Sequence, residues 1–205
     1  VAGVSGLRKR ITDIKLLDAN GMELTFVESS CCAIDTGAIK QFSYTLSLDS
    51  TDGIRAEAHT SWLRNGNGVL MFGDIVPQEF GATGKRFSAA LTLGLPRDWL
   101  VRSSDLVAET KVLRTDDIGN AVAFVGGIWR VADIDIDGQI FKIVLSGEHD
   151  FSDSDVADKV RAIIGDYSAK FGKLNGSRFV VSLFSPRKFT HFNSWEADTR
   201  GKTVV

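Results

Sequence analysis

Period-two alternation of apolar residues, punctuated by Asn-Gly and Asp-Gly pairs, is the feature that most restricts what this chain can fold into. Ile14 and Leu16 alternate with polar residues up to Asn20-Gly21, and Met22, Leu24 and Phe26 alternate after it. Phe42, Tyr44, Leu46 and Leu48 alternate without a break, as do Phe87, Ala89, Leu91 and Leu93. Ile134 and Ile136 lead into Asp137-Gly138, and Phe141, Ile143 and Leu145 lead out. Such a run buries one face of a strand and wets the other. Asn-Gly and Asp-Gly tolerate the positive φ that a tight hairpin demands. Short alternating strands with frequent turns predict two stacked antiparallel sheets rather than a parallel α/β sheet.

The period changes after Leu145. Gly147 to Ser154 is polar and turn-like, and Val156, Val160, Ile163, Ile164, Tyr167 and Phe171 then recur at helical spacing. Ser152 or Ser154 suits the N-cap and Gly172 the end, so one long helix is expected near 154–171. A strand over Phe179 to Phe184 follows, broken by Pro186. The change of period places a domain boundary near residue 148. It divides the chain into a β-sandwich over 1–148 and the incomplete start of an α/β unit over 149–205. The chain stops within the apolar run Thr203-Val204-Val205, which reads as an unfinished strand with an open edge; a polypeptide continuing past Val205 is therefore expected.

With 205 residues, 43% of them apolar, a sizeable core can form. A net charge of -2 gives no broad attraction for nucleic acid. No apolar run approaches the roughly 20 residues that span a bilayer. The compartment is left open by the sequence.

The chemical motifs are sparse. Cys31 and Cys32 are neighbours, which disfavours ordinary disulfide geometry and leaves no four-Cys zinc set; two small residues of a strand is the simpler reading. His59, His149 and His191 are scattered, and none opens a His-Glu-x-x-His motif. Asp133, Asp135, Asp137 and Gly138 imitate the start of a calcium loop. The twelfth position, which needs a bidentate Glu, is Val144, so an acidic strand edge fits better. Gly81 to Arg86 lacks the spacing of a phosphate loop, and Asn65-Gly66-Asn67-Gly68 reads as a turn. There is no Gly-x-Ser-x-Gly elbow. No catalytic residue and no metal ligand set is therefore assigned within this chain.

Several segments, in order, resemble the glycyl-aminopeptidase family of zinc metallopeptidases, which are gluzincin-like hydrolases. Ala58 to Phe72 resembles the family's strand–turn–strand around an Asn-Gly pair, and Leu95-Pro96-Arg97-Asp98-Trp99 resembles its Leu-Pro-x-x-Trp. The helix from Val156 to Phe171 resembles the first helix of its catalytic domain, and Arg178 to Phe184 the strand that follows. Trp195-Glu196 and Thr203-Val204-Val205 resemble its Gly-Gly-x-Glu-His segment and the next strand. The resemblance implies a mainly β fold: an N-terminal antiparallel β-sandwich feeding a small α/β segment at the edge of a thermolysin-like catalytic domain. It implies a zinc motif beyond Val205, with no cofactor held by this chain and zinc in the full-length parent. Peptide substrates and the remainder of the catalytic domain are the partners it implies. Glu196, with Trp195, is the implied substrate-binding site, the Glu196 carboxylate pairing with a free α-ammonium.

There are departures. An Asp-Tyr-x-x-Leu-x-Asp-x-Pro stretch is not seen around Ala121 to Trp129, Asn193 and Ser194 replace glycines, and Ala197 stands where a histidine is expected. Three functional readings follow: the front part of a zinc aminopeptidase-like peptidase, a non-catalytic sandwich whose loops grip a glycan or protein, and a relative that has lost its zinc site. An exposed loop acid is the plainer alternative for Glu196.

Overall fold

The computed structural model describes residues 10–25, 39–49, 57–77, 86–106, 111–185 and 196–205. Among these the chain is mainly β, and every strand pair formed before Gly147 is antiparallel. Strands β1 (Ile11–Leu17) and β2 (Gln41–Leu46) pair with each other. A four-stranded sheet has the order β3-β4-β8-β6, from β3 (Trp62–Arg64), β4 (Asn67–Met71), β6 (Leu100–Arg102) and β8 (Val122–Gly126). Strands β5 (Ala89–Thr92) and β7 (Val112–Thr115) form a separate pair. A one-turn helix α1 (Phe72–Ile75) follows β4, and a 3₁₀ turn (Ile118–Asn120) precedes β8.

The turns follow the predicted chemistry. Asn65 and Gly66 take φ of 48° and 75° between β3 and β4. Asp137 and Gly138 take 54° and 81° between β9 (Arg130–Ile136) and β10 (Gln139–Ser146). Both turns have the two successive positive φ values that match the twist of a hairpin. At Asn20-Gly21 the chain does reverse: Asp18 receives the Gly21 amide and donates to Met22, and Leu24 donates to Leu16. The main partner of β1 is nevertheless β2, further along the chain.

Helix α2 (Asp153–Phe171) begins on Ser152, whose side chain accepts from the Asp155 amide while the Asp155 carboxylate accepts from the Ser152 amide. This reciprocal capping satisfies two donors that a helix start leaves orphaned. Gly172, at φ 84°, ends the helix. The helix returns the chain to β11 (Arg178–Phe184), which pairs in parallel with β10, as a crossover of this length permits. β13 (Thr203–Val204) then adds in parallel to β11, and β12 (Thr199–Arg200) pairs antiparallel with β13. The result is a mixed five-stranded sheet with the order β12-β13-β11-β10-β9. It continues across residue 148, since β9 and β10 share it with strands that follow the helix. The last strand, β13, is not an open edge: it lies between β11 and β12.

The alternation decides how these pieces stack. On one face of the four-stranded sheet, Val101, Ala123 and Val125 pack with Leu113 of β7 and Leu91 of β5. On its other face, Val69, Met71, Val122 and Phe124 pack with Trp62 and Trp129 against Val144, Val180 and Val205 of the mixed sheet. The far face of the mixed sheet buries Ile134, Phe141, Ile143 and Leu145 under Ala157, Val156, Val160 and Ile164 of α2. Thus the period-two pattern of β8 and β10 serves two cores at once, and each fully buried Val or Phe contributes about 1.5–3 kcal/mol.

Candidate functional site

Glu196 lies three residues before β12, on the outer edge of the mixed sheet, and is exposed. It makes no hydrogen bond or ion pair with another described residue. Trp195 lies outside the described residues, as do His191, Cys31, Cys32 and the segment Gly81 to Lys85. The structure therefore positions one of the two predicted substrate-binding residues, Glu196.

What the sequence reading missed is a charged network directly behind that edge. Asp198 and Val205 exchange both backbone hydrogen bonds, at 3.0 and 2.9 Å, and so extend the β12–β13 hairpin by one rung. The Asp198 carboxylate also accepts from the Thr199 amide at 2.8 Å. From β12 the Arg200 guanidinium reaches three partners. Nε donates to Asp198 Oδ2 at 3.0 Å, Nη1 to Asp74 Oδ1 at 3.3 Å and Nη2 to the His59 carbonyl at 3.1 Å. Asp74 belongs to α1, and His59 to the turn that precedes β3. His59 Nδ1 stands 3.4 Å from the same Asp198 oxygen that Arg200 uses. Nearby, Arg10 donates to the carbonyls of Ser47 and Ser61, and the Tyr44 hydroxyl donates to the Ile75 carbonyl.

The electrostatics are uneven. The Asp74 side chain is 4% exposed and its Oδ2 has no hydrogen-bond partner. Burial pushes the Asp74 carboxyl above its ordinary value, and Arg200 offsets this only in part. Burial also opposes the charge on Asp198. There the hydrogen bond and charge of Arg200, with contributions from His59 and the Thr199 amide, outweigh it and hold the carboxyl below its usual range. Burial lowers the Arg10 guanidinium, against the pull of Asp74 and Asp49.

Other residues singled out in the sequence have plain structural roles. Asp135 accepts from the Gly138 amide and Asp133 pairs with Lys142, so the acidic run belongs to the β9–β10 hairpin. His149 stacks on Phe151 with ring centroids 4.9 Å apart. Among the described residues no three His, Cys, Asp or Glu side chains are grouped to hold a metal ion. Where Asp74 and Asp198 converge, the Arg200 cation already stands between them. These residues do not fit a zinc centre, and no chemical step through a metal is assigned to them.

The architecture is that of a β-sandwich joined to a mixed α/β sheet. Among solved structures, that of an aminopeptidase N family protein from Idiomarina loihiensis is similar to 97% of this chain with a TM-score of 0.73 at 14% identity. An M1 zinc metallopeptidase from Deinococcus radiodurans is matched over 96% of this chain at 12% identity, with a TM-score of 0.48 that is too low to bear on the fold. This chain spans 34% of the first of those structures and 52% of the second. No protein-family model matches it, and no curated protein matches it in sequence. The likeness is thus one of fold, to part of a larger protein.

Proposed function

We propose that this chain is the front part of a zinc aminopeptidase-like metallopeptidase: a sandwich, followed by the first elements of a catalytic unit. The observation that carries the reading is the fold likeness over 97% of the chain to a third of an aminopeptidase N family protein. The zinc motif would lie beyond Val205, and the zinc would polarise the scissile carbonyl and activate water. This chain would form one wall of a peptide cleft. Glu196, exposed beside the edge strand β12, would pair with the free α-ammonium of the substrate, with Trp195 beside it; a charge-assisted hydrogen bond is stronger than a neutral one. The two-part division of the chain belongs to the same proposal. The sandwich would span 1–148 and the start of the α/β unit 149–205.

The test is an assay of the natural protein that contains this chain. It should release an aminoacyl reporter in a chelator-sensitive manner, and Glu196→Ala should impair cleavage of free-amine substrates about tenfold or more while affecting blocked peptides much less. Absence of chelator-sensitive hydrolysis of every free-amine substrate tried would overturn the reading and favour a non-catalytic sandwich module. Equal losses on free and blocked substrates would remove the role of Glu196 alone.

A further inference from the structure

Strand β12 is two residues long and, among the described residues, lies at the sheet edge with one hydrogen-bonded neighbour, β13. A pairing that short does not sustain itself in water. β13 is differently placed. It pairs with β11 through Val180↔Thr203 and Val181↔Val204, the Val180 amide donates to the Lys202 carbonyl at 2.9 Å, and Thr203 and Val205 are buried. Among the described residues β12 has no comparable apolar anchor: Thr199 is exposed. What ties it inward is Arg200, whose side chain is 11% exposed and reaches α1 and the turn before β3, both attached to the four-stranded sheet. Gly201, at φ 56°, brings the hairpin turn against Asn120, where an added Cβ would meet the Asn120 carbonyl oxygen at 3.4 Å.

We infer that Arg200 is a positioning residue: it clamps the edge strand β12, and with it the segment that begins at Glu196, onto the sandwich. A planar fork with several fixed donors can hold three acceptors from three separate segments at once, which a lysine ammonium on a flexible stem cannot do in the same geometry. The clamp itself stands on the geometry; its consequence for substrate binding rests on the proposed role of Glu196.

Amide hydrogen exchange on the natural protein that contains this chain tests the clamp, because distinct amides report the two pairings. The Asp198 and Val205 amides report β12 against β13, the Val180 amide reports β13 against β11, and the α2 amides report the remainder. In Arg200→Met the first two should exchange about tenfold faster than in the wild type, with Val180 and α2 unchanged. Unchanged exchange at Asp198 and Val205 overturns the clamp, as does an equal loss of protection at Val180 and α2. Should Arg200→Met fail to fold, Arg200→Lys serves: roughly threefold faster exchange confined to Asp198 and Val205 supports the clamp, and wild-type exchange there overturns it. In the natural protein, Arg200→Lys should raise KM for free-amine substrates severalfold with kcat nearly unchanged, a split that general destabilisation would not produce. An unchanged KM together with the selective exchange supports the clamp and counts against the proposed role of Glu196.

Discussion

Strands β8 and β12 are both short, yet they are held in place by different physics. Val122, Ala123, Phe124 and Val125 of β8 are fully buried, with alternate residues facing opposite cores. Burial on both faces is non-directional and needs no particular partner, so β8 is secured by apolar area. At β12 the fastening is a guanidinium meeting two carboxylates and a carbonyl, in a pocket where one of those carboxylates is desolvated at a cost. Such an arrangement is directional and sets position, but a buried pair contributes little net stability once its desolvation is counted. The middle of this protein is accordingly built for stability, and the edge beside Glu196 for placement.

The largest expected effect tests the first half of that contrast. Phe124→Ala removes a side chain that packs edge-on against Trp129, with ring centroids 5.3 Å apart, in the core between the two sheets. It should cost about 3–5 kcal/mol in urea unfolding followed by tryptophan fluorescence. A loss below about 1.5 kcal/mol would mean that this core is loosely filled, and would break the contrast. Arg200→Lys, which keeps a positive charge opposite Asp74, should cost the whole fold far less than this; a comparable global loss would break the contrast from the other side.

Next in size is Gly126→Ala, at the end of β8. Gly126 has φ 131°, and a Cβ there would collide with the Gly66 carbonyl oxygen and lie 2.6 Å from Asn67 Oδ1. The hairpin turn at Asn65-Gly66 presses on this strand end so closely that only glycine fits. Strain of about 1–3 kcal/mol is expected in the same unfolding measurement. Wild-type stability would show that the turn can yield.

The smallest effect concerns pH. The Asp74 carboxyl is raised in the folded state, so folding favours its neutral form. Its contribution to stability is complete below the ordinary carboxylate range and declines as pH rises through the raised folded value. Asp74→Asn mimics the neutral form and removes this decline. The stability difference should therefore move in favour of Asp74→Asn as pH rises through that window, and be flat below it. A difference that moved the other way would show that the pairing with Arg200 outweighs the burial of Asp74.

Much of the fold was legible because its causes are local. Ser152 or Ser154 was read as the cap of the long helix and Gly172 as its stop; Ser152 is the cap and Gly172 the stop, since a side-chain oxygen three residues before a free amide and a backbone at positive φ are properties of a few neighbouring residues. The hairpin at Asp137-Gly138 was legible for the same reason. At Asn20-Gly21 the turn was readable but the principal partner of β1 was not, because pairing with β2 is chosen by a face that distant strands share. The parallel placement of β13 inside the sheet, where an open edge was expected, was equally out of reach. Of the candidate site, Glu196 was singled out by order and resemblance; the network behind it carried no local signal at all.

By itself, then, the sequence determined the strand and helix periods, the turns and the capping. Tertiary structure alone decided which sheets those strands join and what stands behind the edge. Arg200 meets Asp74 across 126 residues of chain and His59 across 141. No spacing rule connects such positions. A lone Arg in a polar turn resembles any solvated surface charge until the four-stranded sheet is brought against it, at which point the burial of Asp74 makes its three-way fork the means of holding the edge.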